Sequence, residues 1–155
     1  MPCSAPPTAT NGRHCGACTA CCIHLPLEEG VLGPQAKPAG VPCPHVGPLG
    51  CRGHQRRPLW CAKFQCWWLS EPAWPAAWRP DRSGLLCVSE DPDRRLRRVR
   101  VYEIRPAALA EPLAGQLLAA LKPCASIELV PLAGRHAGGQ HADPPGACQP
   151  HRMAG

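Results

Sequence analysis

Hydrophobic and polar positions settle into a regular pattern only after residue 80. Gly84-Leu85-Leu86-Cys87-Val88 is a short apolar run that predicts a strand, and Leu96 to Ile104 predicts a second, with Asp91-Pro92-Asp93 turning between them. Glu111-Pro112 then marks a helix start, because proline's fixed φ and missing N–H suit a first turn. Leu113, Leu117, Leu118 and Leu121 fall on one face of that helix until Lys122-Pro123 ends it, and Ser126 to Pro131 predicts a third strand. Strand, strand, helix, strand in that order makes a small β-β-α-β unit over 81–133, with the helix packed on one face of the sheet.

Upstream of residue 80 no such period holds. With 21 prolines and 15 glycines in 155 residues, there is room only for short elements. Aromatic residues make up 5% of the chain, and the five tryptophans, Trp60, Trp67, Trp68, Trp74 and Trp78, are crowded together. Aliphatic side chains alone therefore fill this half poorly, and a crosslink is expected to help hold it. The tryptophans are expected to cover that crosslinked region; their alternative use, a stacking platform for bases or peptides, needs exposed rings interleaved with positive charge.

A net charge of +6 is too weak to mark a nucleic-acid binder. The first fourteen residues, MPCSAPPTATNGRH, hold no apolar run of the kind a secretory signal needs, which predicts a cytoplasmic protein. No stretch approaches the ~18 apolar residues of a membrane span; the best, Ala107 to Leu121, is broken by Glu111 and Pro112.

These absences decide how the 12 cysteines are read. Disulfides are rare in a reducing compartment, so clustered cysteines there point to metal. Cys15, Cys18, Cys21 and Cys22 form a C-x2-C-x2-C-C run, and Cys43, Cys51, Cys61 and Cys66 follow within a Pro- and Gly-rich stretch. A C-x2-C turn lets two thiolates face one ion. Adjacent cysteines do not easily share an ion in relaxed geometry, so Cys21 and Cys22 are expected to serve different metals or to leave one of them behind the ligands. The same adjacency fits poorly with a disulfide framework, because a bond between neighbours strains the peptide. Cys3, Cys87, Cys124 and Cys148 have no motif spacing and are read as non-ligands, small apolar residues where buried.

The run Cys15-Gly16-Ala17-Cys18-Thr19-Ala20-Cys21-Cys22, the Cys51 to Cys61 spacing with Arg57-Pro58 inside it, and Phe64-Gln65-Cys66-Trp67 occur in a recognisable order. Together with Lys37-Pro38-Ala39-Gly40-Val41 ahead of Cys43 and His45, they resemble the CxxCxxCC or YkgJ-like cysteine-cluster family, described as zinc- or iron-chelating, over roughly residues 13–70. The chain departs from the family's C-x-I-Y-x-x-R-P-x-x-C block at Gly53 and His54, and Val46 stands where some relatives have a further cysteine after the histidine. The resemblance implies a metal-binding module with no agreed reaction. The same signature is similar to part of the flagellin lysine methylases, but this chain is short for a methyl-donor domain as well.

Two metals fit. Zinc takes four Cys or His ligands, and eight thiolates would make two closed sites with a total charge of about −4. Three close cysteines and a remote Cys43-Pro44 also suit a 4Fe–4S cluster, and the lack of a second C-x2-C knuckle leans toward iron–sulfur. Arg52, Arg56, Arg57 and Lys63 share these loops and are candidates to screen the thiolates, and His45 is the best placed of His14, His24, His45 and His54 to replace a sulfur. Arg94, Arg95, Arg97, Arg98 and Arg100 read as a solvated, ion-paired strand, with phosphate contact as the alternative. His136, His141 and His151 are too widely spread for a stiff site.

The sequence thus predicts an α+β protein: a disordered start (1–12), a small irregular metal-stabilised cysteine-cluster domain (13–80), the β-β-α-β unit (81–133) and a disordered tail (134–155). Its expected role is metal chelation by Cys15, Cys18, Cys21, Cys22, Cys43, Cys51, Cys61 and Cys66, with zinc or iron as cofactor and no defined reaction. The rivals are an iron–sulfur electron carrier, a thiol oxidoreductase using Cys21-Cys22, and a zinc-based interaction module for a protein or nucleic-acid partner. No catalytic triad, phosphate-cradling loop or dinucleotide fingerprint supports another reaction class.

Overall fold

The two apolar runs after Gly84 pair with each other: β3 (Leu85–Ser89) lies antiparallel to β4 (Arg98–Glu103), with Leu85 opposite Glu103 and Ser89 opposite Val99, in the computed structural model, which describes residues 12–90 and 98–132. The predicted Asp91-Pro92-Asp93 turn, Arg94, Arg95, Arg97, the disorder expected for 1–11 and 134–155, Cys3, Cys148 and the three tail histidines lie outside those residues. A third strand, β5 (Ser126–Val130), runs parallel to β4, with Val99 opposite Ile127 and Val101 opposite Leu129, so the sheet order is β3-β4-β5.

Parallel neighbours need a crossover rather than a tight turn, and α5 (Pro112–Leu121) supplies it. Proline occupies its first turn and Glu111, with extended backbone, precedes it. The buried face is Ala114, Leu117 and Leu121, at helical spacings of three and four. Leu113, expected on that face, is only half-buried, and Leu118 likewise.

Leu85, Leu86, Cys87 and Val88 are all buried, so both faces of β3 are covered, since successive strand residues point to opposite sides. The helix α3 (Trp67–Ser70) packs against β3, and α5 against β5. One apolar core therefore runs from Ala20, Leu25, Trp67, Trp68 and Trp74 into the sheet and on to Leu117 and Leu121. The tryptophans serve as packing: Trp74 meets Trp78 edge to face at 5.1 Å between ring centres, and Trp60 stacks on Phe64 at 5.4 Å.

On β4, Arg98 and Arg100 reach Glu90, and Arg100 also holds Glu128 on β5 at 2.9 Å, so the described part of the arginine strand is ion-paired. The other half of the chain carries only short elements: α1 (Ala20–His24), a two-residue hairpin of β1 (Val46–Gly47) and β2 (Gly50–Cys51), α2 (Leu59–Lys63), α3 and α4 (Pro80–Ser83). The fold is mixed α+β with small sheets and short helices. Among the described residues no helix is long and apolar enough to cross a membrane.

Candidate metal centre

The first C-x2-C forms a turn in which the Cys18 N–H donates to the Cys15 carbonyl at 3.0 Å, and Gly16 supplies the left-handed residue at φ 56°. The chain then enters α1, which carries Cys21 and Cys22. Neighbouring positions on a helix are about 100° apart, yet both thiols line one cavity. Their sulfurs are 3.9 Å apart.

The hairpin returns to this turn. Gly50 sits at φ 106°, and a Cβ there would overlap the Gly16 carbonyl oxygen, so β2 and its Cys51 lie directly on the Cys15–Cys18 backbone. Cys43 is tied to α1 by its N–H, which donates to the Cys22 carbonyl at 2.9 Å, and the His45 N–H donates to the Cys43 sulfur at 3.5 Å. Cys61 lies on α2, which follows Arg57-Pro58, and Cys66 is buried at the start of α3.

These placements bring all eight cysteines predicted as ligands to the wall of one cavity of about 430 Å³. His14, His45 and His54 line it as well; His24 does not. The His54 ring is paired with the Arg57 guanidinium, and burial together with that cation pushes its pKa down. Among the described residues, no three donors already stand in coordination geometry. The walls carry soft thiol donors, the chemistry that suits zinc and iron–sulfur centres, so the donor set fits either group.

Electrostatics separate the thiols. Burial raises the pKa of Cys66 to about 12, with Cys15 and Cys18 adding to it. Cys21 is raised by its hydrogen bond to Cys22, by burial, and by the proximity of Cys22, Cys15 and Cys66. Cys22 is lowered to about 7 by the same hydrogen bond, helped by Lys37 and Arg57. Cys61 is raised by burial and then by Cys22, Cys43 and Cys51.

Of the cations expected to screen the thiolates, Arg56 and Arg57 line the cavity, whereas Arg52 and Lys63 do not; Arg52 donates to the Val46 carbonyl at 3.0 Å. Three others were not expected. Arg13 and Arg79 line the cavity, and Arg13 holds the arm ahead of Cys15 onto the tryptophan turn, donating to the Trp68, Glu71, Pro72 and Trp74 carbonyls and lying 4.4 Å over the Trp68 ring. Lys37 is buried, and its ammonium donates to the carbonyls of Val41 (2.7 Å), Pro38 (3.1 Å) and Ile23 (3.3 Å). Burial lowers its pKa, while Cys43, Cys22 and Cys21 oppose that shift. Its sequence signal was the Lys37-Pro38 block itself, a lone lysine between two cysteine groups. Cys87 is buried within β3 and does not line the cavity, and Cys124 is disulfide-bonded rather than a free apolar thiol.

No family model matches this chain, and no curated protein or solved structure matches it either.

Proposed function

We propose that this is a metal-chelating cysteine-cluster protein, holding zinc or an iron–sulfur centre through Cys15, Cys18, Cys21, Cys22, Cys43, Cys51, Cys61 and Cys66, with no reaction of its own assigned. The observation that carries the reading is the convergence of eight free thiols, from five separate segments, on one cavity. Thiols left in this way lose hydration and repel one another when ionised, so they gain most from a cation that replaces their protons. When bound, the metal supplies a crosslink among loops too short to hold themselves, which is the metal-stabilised fold that the resemblance to the YkgJ-like family implies.

The chain's own residues do the rest. Arg57 and Lys37 offset thiolate charge beside Cys22, and Trp67 and Trp68 keep water from the buried side. The eight free thiols favour a reducing compartment, so the proposed location is the cytoplasm, with the Cys124 disulfide counting against it. The interaction-module alternative gains no support from the tryptophans, since Trp67, Trp68 and Trp74 are buried, nor from Arg98 and Arg100, which are paired.

The test is anaerobic purification followed by elemental analysis for zinc, iron and acid-labile sulfide on the sample whose absorption is recorded. Zinc in a colourless protein, or iron and sulfide with a sulfur-to-iron charge-transfer band, is the expected result. A folded protein free of both metals overturns the reading.

A further inference from the structure

The eight thiols do not converge evenly. Cys66 belongs to the apolar core that contains Trp67 and Trp68, and Cys18 and Cys21 pack against it, whereas Cys22, Cys43, Cys51 and Cys61 stand outside that core. Cys15 goes with the first group, since its carbonyl accepts the Cys18 N–H and its thiol acts on both Cys21 and Cys66. In the second group the Cys43 N–H is bonded to the Cys22 carbonyl, the β1–β2 hairpin sets Cys51 opposite Val46 three residues beyond Cys43, and Cys61 has Cys22, Cys43 and Cys51 as its thiol neighbours. The links between the groups that the electrostatics resolve, Cys15 to Cys22 and Cys21 to Cys22, both run through Cys22.

We propose that α1 divides the cysteines into two separate tetrathiolate sites for thiophilic metal ions, an inner one of Cys15, Cys18, Cys21 and Cys66 against the core and an outer one of Cys22, Cys43, Cys51 and Cys61 among the loops. The division deepens the metal-chelating reading and rests on it. Adjacent residues on a helix diverge by about 100°, so although the two sulfurs stand 3.9 Å apart on one cavity wall, each thiol has a different set of further cysteine neighbours. Each set takes one cysteine from α1; Cys15 and Cys18 are bonded within the inner set and Cys43 to the Cys22 carbonyl in the outer one, while β2, which carries Cys51, also meets the Cys15–Cys18 turn through Gly50, so the two sets adjoin.

Charge is arranged in the same way. Two zinc-type tetrathiolates would stand close together with a charge of about −2 each. Arg57 acts on Cys15 in the inner set and on Cys22 and Cys61 in the outer set, so it lies between them. Lys37 sits buried beside Cys43 and Cys22 of the outer set and acts more weakly on Cys21 of the inner one.

The competing arrangement is one ion held by both members of the pair. The 3.9 Å between the Cys21 and Cys22 sulfurs is close to the edge of a single zinc tetrahedron, about 3.8 Å for zinc–sulfur bonds of ~2.3 Å. Anaerobic titration of the metal-free full-length chain with cobalt(II), read by thiolate-to-cobalt charge transfer, separates the two. Division predicts two cobalt ions per wild-type chain, one in the double variant Cys21→Ser/Cys66→Ser, one in Cys22→Ser/Cys61→Ser, and none in Cys21→Ser/Cys22→Ser. Saturation of the wild type by a single ion overturns the division and needs no variant to fold. Loss of all cobalt from Cys21→Ser/Cys66→Ser, with the circular-dichroism signal of the helices retained, overturns it as well. No cobalt uptake by the wild type removes the metal-chelating reading itself, a different failure from either of these.

Discussion

The thiol-lined half and the sheet half share one core but are built on different principles. In the sheet half a ten-residue helix and strands of five and six residues carry the fold, and Leu85, Val99, Val101, Leu117 and Leu121 are essentially inaccessible to water. In the thiol-lined half the longest helices have five residues, the hairpin strands have two, and Val41, Leu49 and Leu59 are exposed. Apolar burial accounts for the first. The second adds Ala20, Leu25, Trp67, Trp68 and Trp74 to the shared core and is otherwise held by single contacts between loops, such as Gly50 on Gly16, Cys43 on Cys22 and Arg13 on the tryptophan turn. Under the proposed function, bound metal would supply the crosslink that this half's short elements do not.

The largest expected effect is therefore metal removal. Structural zinc contributes about 10–16 kcal/mol of apparent binding energy in small zinc domains. Chelation should expose that segment to hydrogen exchange and protease while β3, β4, β5 and α5 keep part of their protection. Equal loss across both halves would erase the distinction between them.

Next in size, Leu117→Ala should destabilise the sheet half by about 2–5 kcal/mol, the usual result of emptying a fully buried leucine site. Urea unfolding measures the loss. Metal stoichiometry should stay unchanged, and a fall in it would mean that the core rather than the thiols organises the cavity.

Lys37→Met tests the thiol half from within. Three carbonyls lose their charged donor and the outer thiolates lose a neighbouring cation, which should weaken metal binding by about 1–3 kcal/mol, roughly 5- to 150-fold. Lys37→Arg should keep most of the affinity because it keeps the charge. Cobalt competition with a chelator reads both, and equal losses in the two variants would make Lys37 a loop clamp without an electrostatic part.

How much of this was legible in the sequence differs between the halves for the same reason. The strands and α5 follow periodic burial, so their positions are legible within a residue or two, yet the buried face takes Ala114 where Leu113 is expected. A small residue on the face that meets the sheet is chosen for close approach, and a reading weighted by hydrophobicity favours the larger neighbour. The gathering of the eight cysteines was legible from their spacing. Two sites are expected from the Cys-Cys pair, but which thiol belongs to which of the proposed sites was not legible, because it depends on contacts such as the Cys43 N–H bonding the Cys22 carbonyl. Arg13 was invisible for a related reason: its partners are main-chain carbonyls more than fifty residues away, which no side-chain pattern records.

The smallest expected effect is on pH. The Arg79 guanidinium, paired with Asp81 at 2.6 Å, holds the Asp81 carboxyl below the ordinary carboxylate range. The folded pKa lies below the unfolded one, so the pair's contribution is present above the unfolded value and is lost as pH falls through the folded value. The pair is solvent-exposed and screened, which limits it to about 0–1 kcal/mol. Asp81→Asn should flatten that part of the acid unfolding curve, and an unchanged curve would show that the pair adds nothing at the cavity rim.

The central claim is that the thiol-lined half is a metal-bound structure. Native mass spectrometry of the intact chain, purified without oxygen and compared with the same sample after acid denaturation, tests it most directly. The account predicts a native mass above that of the polypeptide by two zinc ions or by iron–sulfur centres, with the excess lost on denaturation. A folded charge-state distribution at the bare polypeptide mass would contradict it.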